Sequence, residues 1–393
     1  MKRELYSERM GRLGTESAFT VLAKAKALEA KGIELIHFEI GEPDFDTPKH
    51  IIDAAVEAAR NQWTHYTPSA GIAELREAIA DTVSESRRID IDPNREVVVL
   101  PGAKPAIFNS LMAIVDSGDE VIVPNPGFPI YESVVRFAGG EPVFAKLKEE
   151  DDFNMKADDI AKLVTEKTKV IIINSPENPC GSVLQKSDVE ALAELAIEND
   201  IFVISDEVYC KIFYEGDECL SIASEPGMKE RTLIIDGFSK TYAMTGWRLG
   251  YAVGPAQLIE YITQLQTNST SCVNAFVQKG GVAALRGPQD CVTEMVAKYR
   301  ERRDTIVQGL NEIDGISCRM PRGAFYVMAN IRDLGKPSNE LMEHLMKEAR
   351  VVTLPGPAMG SYAEGYLRFS YATSIENIKE GIKRIETTVS KLQ

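Results

Sequence analysis

A lysine and an arginine eight positions apart are the residues whose chemistry is easiest to read in this chain. Lys240 and Arg248 lie in the segment SKTYAMTGWRLG, residues 239–250. An amine can attack a carbonyl carbon, and a guanidinium offers a planar fork of donors that fits a phosphate. The pair therefore suits a small molecule that carries both an aldehyde and a phosphate, and pyridoxal phosphate is such a molecule.

The residues before Lys240 indicate that it does not lie on an ordinary surface. A lysine taken at random is most often a solvated surface residue. Here the apolar run Leu233-Ile234-Ile235 predicts a short buried strand, and four residues then lead to Lys240. Open α/β sheets bind their ligands beyond the carboxyl ends of their strands, which favours a site at Lys240.

Short apolar runs rich in Val and Ile alternate with helical patterns along most of the chain. This alternation predicts an α/β fold with a mostly parallel sheet sandwiched by helices. Residues 16–31 and 289–311 are expected to be helices, and residues 34–40 are expected to be extended. The predicted sheet strands lie at residues 97–100, 121–123, 170–173, 201–204, 233–235 and 251–253. Further strands are expected at 324–328 and 366–370, with helices at 338–349 and 374–392.

Seven short blocks, in order and spread over nearly the whole chain, carry a resemblance to a known family. Together they resemble the class I/II pyridoxal-phosphate-dependent aminotransferases of the aspartate aminotransferase superfamily, which have fold type I. One block would be weak, but seven in order with roles in one mechanism are specific. The blocks are IGEPDF (40–45), YTPSAG (66–71), GAK (102–104), NPCG (178–181), SDEVY (205–209), the Lys240 segment and LRFS (367–370).

The resemblance implies a large cofactor-binding domain and a smaller α/β C-terminal domain. Length alone favours two domains, because 393 residues exceed one ordinary core. We expect an N-terminal arm that contributes to the small domain at residues 1–46, the large domain at 47–287 and the small domain at 288–393.

Asp206 is expected to support the electron sink of the cofactor. A carbanion at the Cα of an amino acid needs a protonated pyridine ring to accept its charge. Asp206 ends a predicted strand, where its carboxylate can pair with the ring nitrogen and raise that nitrogen's pKa. A strand-end aspartate can also cap the following helix, but Tyr209 three residues later favours the site.

The phosphate is expected at the start of a helix. Gly102-Ala103-Lys104 follows a predicted strand and precedes a helical pattern, so backbone N–H groups there can cradle an anion. By resemblance, Ser239 and Arg248 complete this site, and Tyr66 reaches it from the neighbouring subunit of a homodimer. The family often has a small hydroxyl residue three positions before the lysine, but Gly237 stands there in this chain.

The resemblance also assigns the remaining site residues. Phe128 matches the aromatic residue that stacks on the pyridine ring. Arg368 matches the arginine that binds the substrate α-carboxylate through two parallel hydrogen bonds, assisted by Asn178 and the Gly41 backbone. Asn178 and Tyr209 match the residues that hydrogen-bond the phenolic oxygen of the cofactor. Lys240, together with Asp206 and Tyr209, is the expected catalytic set.

Composition excludes some other classes of protein. The net charge of −15 argues against a nucleic-acid or anionic-membrane surface. Six cysteines and four histidines show neither a disulfide nor a zinc spacing, so reduced thiols and no metal are expected. No apolar run approaches a membrane span, and the charged start lacks the apolar region of a secretory signal, which predicts a cytoplasmic protein.

The predicted activity is amino-group transfer from an L-amino acid to a 2-oxo acid, with Lys240 as the base that moves the Cα proton. In one branch of the family a lysine at the position of Lys104 binds the distal carboxylate, which favours aspartate or glutamate with 2-oxoglutarate. Phe128 in place of a tryptophan, and Phe19 near the pocket, favour alanine, branched or aromatic substrates instead.

The same scaffold also supports β-elimination, ring closure or oxidation, and these alternatives stay open. A transcription regulator would need a DNA-binding segment, for which residues 1–14 are too short, and the chain contains no P-loop element.

Overall fold

The computed structural model describes residues 5–216 and 219–392. Its α-helices are Ser17–Glu29 (α1), Lys49–Arg60 (α2), Ala73–Arg87 (α3), Ala103–Ile114 (α4), Ile130–Ala138 (α5), Ala157–Ala161 (α6), Lys186–Glu198 (α7), Phe238–Thr241 (α8), Ala256–Ser269 (α9), Ala275–Arg286 (α10), Asp290–Asn311 (α11), Ser338–His344 (α12) and Ile375–Val389 (α13). Short 3₁₀ turns lie between several of them, and a π-helical turn, Leu345–Ala349, continues α12. None of the helices over these residues is long and apolar enough to cross a membrane.

The strands are Ile36–His37 (β1), Val97–Leu100 (β2), Glu120–Asn125 (β3), Glu141–Lys146 (β4), Thr168–Asn174 (β5), Phe202–Asp206 (β6), Thr232–Gly237 (β7), Gly250–Val253 (β8), Ser317–Cys318 (β9), Tyr326–Asn330 (β10), Val351–Val352 (β11), Leu354–Pro355 (β12) and Tyr366–Ser370 (β13). Seven of them form the central sheet in the order β2-β8-β7-β6-β5-β3-β4. The pairs from β4 to β7 are parallel, whereas β8 is antiparallel to both of its neighbours. The predicted mostly parallel sheet is confirmed.

Helices cover both faces of the central sheet, as predicted. One face packs against α4, α5 and α9 through an apolar cluster that includes Leu111 and Ile262. On the other face, one cluster joins α3 and α10 to β2, β7 and β8, and another joins α7 to β5 and β6. The central strands are apolar on both sides because both faces are covered. All four residues of β2, for example, are buried.

A separate apolar cluster unites the N-terminal arm with the C-terminal part of the chain. It contains Val21 and Ala25 from α1 together with Tyr299, Ile306 and Leu310 from α11. Two smaller sheets lie here: the antiparallel sheet β12-β13-β10-β9 and the parallel pair β1-β11. The arm thus packs against the C-terminal part of the chain, which is where the small domain was predicted. The domain boundaries at 46/47 and 287/288 stay predictions.

The expectation of reduced thiols is wrong for one pair of cysteines. Cys210 and Cys219 form a disulfide, with Cα atoms 5.5 Å apart. Both are buried, while Cys180, Cys272, Cys291 and Cys318 are free. After Tyr209, residues 212–214 form backbone hydrogen bonds with residues 322–324. Further on, Ser221 donates a hydrogen bond to Glu207 at 2.5 Å. The loop between these contacts brings the two cysteines together, and their spacing in the sequence does not reveal it.

Candidate active site

The site is assembled where parallel strands end. Asp206 is the last residue of β6 and is paired in register with Asn174, the last residue of β5. The next strand, β7, ends at Gly237, and α8 then carries Lys240. The carboxyl ends of parallel strands lie at one edge of a sheet, so their following residues are brought together there.

Lys240 has the environment of a reactive amine. Its Nζ donates a hydrogen bond to the Gly41 carbonyl oxygen at 2.6 Å and lies 5.8 Å from the centre of the Phe325 ring. Burial lowers the pKa of Lys240 to about 8, although Glu42 opposes this effect. A lysine with such a pKa is partly neutral near pH 7, and only the neutral amine can attack an aldehyde or accept a proton.

Asp206 is a buried carboxylate whose hydrogen-bond donors are both neutral. Tyr131 Oη donates to its Oδ2 at 2.7 Å, and the Val208 amide donates to its Oδ1 at 3.3 Å. Burial raises the pKa of Asp206 to about 6. A protonated ring nitrogen is a cationic donor of the kind that would stabilise this carboxylate. The residue therefore fits the pyridine nitrogen of pyridoxal phosphate.

The start of α4 fits a phosphate group. Gly102 precedes the helix with a φ of 100°, a conformation that favours glycine, and a Cβ there would lie 2.6 Å from Arg248 Nη2. The guanidinium of Arg248 thus lies directly against the start of the helix. Its side chain also donates to the Thr245 carbonyl at 2.8 Å. Backbone N–H groups and a guanidinium together form an anion site.

The glycine at position 237, where the family often has a hydroxyl residue, has a packing reason. Gly237 is the register partner of Gly250. A Cβ at 237 would lie 3.1 Å from the Gly250 Cα, and one at Gly250 would lie 2.6 Å from the Ala103 amide nitrogen. A side chain at 237 would be tightly packed against β8, whereas one at Gly250 would clash with the backbone at the start of α4.

Arg368, in the middle of β13, lies inside the protein and not on the surface. It is 4 % exposed, its Nη1 donates to Asn178 Oδ1 at 3.0 Å, and its Nη2 donates to the Glu39 carbonyl oxygen. The Asn178 backbone is in turn held by Asn174 Oδ1 at 2.9 Å. A buried guanidinium with neutral partners is suited to bind a carboxylate.

Two pairs of aromatic residues flank these groups. Tyr209 and Tyr326 share a hydrogen bond of 2.8 Å between their hydroxyl oxygens. Tyr326 also lies against Gly41, because a Cβ at Gly41 would be 1.9 Å from its hydroxyl oxygen. The rings of Phe128 and Tyr131 meet edge to face at 5.8 Å. The predicted stacking of Phe128 and the predicted cofactor contact of Tyr209 stay predictions.

Two of the residues predicted for substrate selection, Phe19 and Phe128, line a large cavity, whereas Lys104 is not part of its lining. This cavity, of about 1050 Å³, is lined by Phe19, Phe128 and Glu16 among others. The Lys104 ammonium lies 5.3 Å from the centre of the Phe128 ring and forms an ion pair with Glu16. Phe19 is 61 % exposed. The pairing of Lys104 with Glu16 was not predicted, because 88 residues separate them.

Two further residues were predicted to contact the cofactor. Ser239 occupies the same short helix as Lys240. Tyr66 is 90 % exposed, and its contact with a neighbouring subunit stays a prediction.

Three residues that contact the predicted site groups were not anticipated: Tyr131, Tyr326 and Glu39. Tyr131 lies three residues after Phe128, and Glu39 lies two residues before Gly41, so both are close in the sequence to predicted site residues. Tyr326 contacts the site from a distant segment, and the sequence spacing contains no signal for it.

Comparisons with known proteins agree with this geometry. The family described as "Aminotransferase class I and II" matches residues 33–385. An aspartate aminotransferase of Pyrococcus abyssi is 45 % identical over 90 % of this chain and 91 % of its own. An aromatic-amino-acid aminotransferase of Thermococcus litoralis is 42 % identical over 92 % and 94 %. The structure of aspartate aminotransferase from Thermus thermophilus with maleate is 37 % identical, covers 98 % of this chain and 100 % of its own, and has a TM-score of 0.94.

Proposed function

The chain belongs to the class I and II aminotransferase family, whose members use pyridoxal 5′-phosphate, and on that premise we propose that it moves the amino group of aspartate or glutamate to 2-oxoglutarate. The aminotransferase activity follows from the family. The choice of substrate rests on the relatives named for aspartate and on Lys104, which pairs with Glu16 of the cavity lining.

One observation carries the proposal. Arg368 donates to the Glu39 carbonyl and Lys240 donates to the Gly41 carbonyl. The two acceptor residues are two positions apart in one segment, so their Cα atoms are separated by at most about 7 Å. An amino acid whose carboxylate is bound by Arg368 would therefore present its Cα near the Lys240 amine.

When bound, the cofactor supplies an aldehyde carbon and a ring that accepts electrons from Cα. The residues of this chain would then have distinct tasks. Lys240 would accept the Cα proton at Nζ and deliver it again, which requires a pKa near the working pH. Asp206 would hold the proton on the ring nitrogen. The start of α4 and Arg248 would hold the phosphate, and Arg368 with Asn178 would orient the substrate.

A half-reaction tests the proposed activity against the other reactions of this scaffold. Enzyme loaded with pyridoxal phosphate and mixed with aspartate, but with no oxo acid, should release about one equivalent of oxaloacetate per site and then stop. Adding 2-oxoglutarate should restart turnover. Continuous release of ammonia or peroxide without an oxo acid would instead favour elimination or oxidation. Release of pyruvate from alanine at a higher rate would overturn the acidic substrate.

The ion pair between Lys104 and Glu16 sharpens the substrate prediction. If the Lys104 ammonium meets the distal carboxylate of aspartate, Lys104→Met should lower kcat/KM for aspartate by roughly ten- to a hundredfold, since a hydrogen bond to a charged group is worth about 1.5–3 kcal/mol. Alanine should change by less than about threefold. Glu16→Gln is the matched variant: it removes a competing anion and should raise kcat/KM for aspartate. Equal losses for aspartate and alanine in Lys104→Met would assign Lys104 to folding or cofactor binding.

We further propose a homodimer in which Tyr66 serves the neighbouring active site. Its exposure in the single chain supports this, as does the nearby apolar surface with Ile52, Val56 and Trp63 each more than a third exposed. Light scattering should give twice the mass of 43.4 kDa.

We place the protein in the cytoplasm, where amino acids and 2-oxo acids are metabolised. The Cys210–Cys219 disulfide is unusual for that compartment. Thiol counting in freshly lysed cells checks whether it forms there.

A further inference from the structure

The segment that carries the acceptor for Arg368 contains a partly buried charged pair, a partly exposed histidine and a fully buried glutamate, that the proposed mechanism does not use. His37 Nδ1 lies 2.8 Å from Glu39 Oε1, and His37 Nε2 lies 3.0 Å from Glu29 Oε1. A carboxylate oxygen can only accept a hydrogen bond. With both glutamates ionised, each ring nitrogen of His37 donates a proton, so the geometry fits an imidazolium.

Glu39 depends on this cation. It is fully buried, and among the residues that the structure describes its second oxygen, Oε2, has no hydrogen-bond partner. The loss of a proton from His37 would weaken the charge pairing of a buried carboxylate, which costs several times more than the loss of an exposed pair. Among the described residues, His37 is thus the one side chain that hydrogen-bonds the Glu39 carboxylate, while the charge of Arg368 also attracts it.

The backbone of the same residue binds Arg368. The Glu39 carbonyl accepts a hydrogen bond from Arg368 Nη2, while Asn178 accepts one from Nη1. The backbone of the preceding residue, Phe38, is held by two hydrogen bonds. Its amide donates to the Val352 carbonyl, and its carbonyl accepts from the Ser370 amide at 2.7 Å. A shift of Glu39 would therefore act on the orientation of Arg368 within β13.

We propose that His37 is a positioning residue for substrate binding: its imidazolium holds Glu39, and the Glu39 carbonyl orients the guanidinium of Arg368 toward the substrate carboxylate. This inference rests on the proposed role of Arg368. It assigns to His37 an effect on KM and little effect on kcat, because His37 touches neither the substrate nor Lys240.

The charged groups around His37 set the pH range of this effect. Glu39 from its own segment and Glu29 from α1 face the ring, and Lys26 pairs with Glu29 at 2.8 Å. The contacting residues of β11, Val351 and Val352, are uncharged. The hydrogen bond to Glu39 is the main cause that raises the pKa of His37 above its ordinary value of 6.5, against the effect of burial.

The direction of the pH dependence follows from that raised pKa. A group whose pKa is higher in the folded state stabilises the fold fully below its unfolded value, and this contribution is lost as the pH rises through the folded value. We therefore expect KM for 2-oxoglutarate, which has no titrating group in this range, to rise about five- to tenfold toward alkaline pH.

The decisive variant is His37→Asn. Asparagine can place a donor where Nδ1 lies but carries no charge and does not reach Glu29. Its KM should already be high at pH 7 and should lack the alkaline rise of the parent, with kcat within about twofold. His344→Asn, on α12, is the matched control and should keep the parent profile. A His37→Asn variant with the KM and the pH profile of the parent would overturn the inference.

Two further measurements separate the possible failures. Arg368→Lys should raise KM strongly, and an unchanged KM would remove the premise from the proposed function itself. The protein has only four histidines, so ring ¹⁵N signals of the cofactor-free protein can be assigned by substitution. His37 should lose its second ring proton at a higher pH in the parent than in Glu39→Gln, because the hydrogen bond to Glu39 raises its pKa. A His37 ring that titrates at the same pH in both proteins would contradict the proposal without any use of activity.

Discussion

Replacing Lys240 with alanine should abolish multiple turnover while leaving the fold and non-covalent cofactor binding in place. The variant loses both the amine that bonds to the cofactor and the base that moves the Cα proton. General acid–base catalysis alone contributes about 10²–10⁴-fold, so the loss in kcat should be at least of this size. Steady-state assays with aspartate and 2-oxoglutarate measure it.

Borohydride reduction gives a direct check on the same residue. It should attach pyridoxal phosphate irreversibly to Lys240, which peptide mapping can locate. Lys211→Ala is a suitable control, because Lys211 is exposed and lies outside the site. An adduct on a different lysine, or a Lys240→Ala variant with more than a few per cent of parent turnover, would contradict the assignment.

Replacing Asp206 with asparagine should separate catalysis from stability. The carboxylate would lose its charge pairing with the ring nitrogen, and breaking a buried ion pair costs about 3–5 kcal/mol, or roughly 10²- to 10⁴-fold in rate. Asparagine still accepts the hydrogen bond from Tyr131. Rapid mixing with aspartate, followed by absorbance over a single turnover, measures the rate of Cα proton loss.

The cofactor-free protein should respond in the opposite direction. Burial raises the pKa of Asp206 to about 6, so at pH 7 the carboxylate is charged in a site that disfavours charge. For a carboxyl whose pKa is higher in the folded state, stability falls as the pH rises from the unfolded value past the folded one. The asparagine variant without cofactor should therefore have an equal or higher Tm at pH 7. Parent-like single-turnover rates, or a large drop in Tm, would refute this account.

The strands of the central sheet were largely predictable, because their residues are buried on both faces and leave continuous apolar runs. The run at 366–370 was located with its exact bounds, Tyr366–Ser370. The edge strand β4 was missed, since Glu141–Lys146 is only partly buried and contains a proline. The antiparallel direction of β8 was also beyond prediction, because direction depends on how the chain returns and not on local residues.

The site was predictable where its residues fall in contiguous blocks. Lys240, Arg248 and Asp206 follow recognisable strands, whereas the partners that hold them come from far along the chain. Tyr131 reaches Asp206 across 75 residues, and Arg368 reaches the Glu39 carbonyl across 329. The disulfide between Cys210 and Cys219 was missed for a similar reason, because a loop rather than a regular spacing brings the two residues together. Spacing along a chain describes neighbours on one element and not contacts between elements.

Because β8 runs antiparallel to β7, the connection between them sets the distance between Lys240 and Arg248. Lys240 lies three residues after the end of β7, Arg248 lies two residues before the start of β8, and Gly237 pairs with Gly250 where the two strands meet. The residues between them thus fix how far the amine lies from the guanidinium. Surface loops usually tolerate insertions at little cost. A single residue inserted between positions 241 and 247 would instead change the distance between the amine and the guanidinium, so we expect this stretch to keep its length among functional sequences.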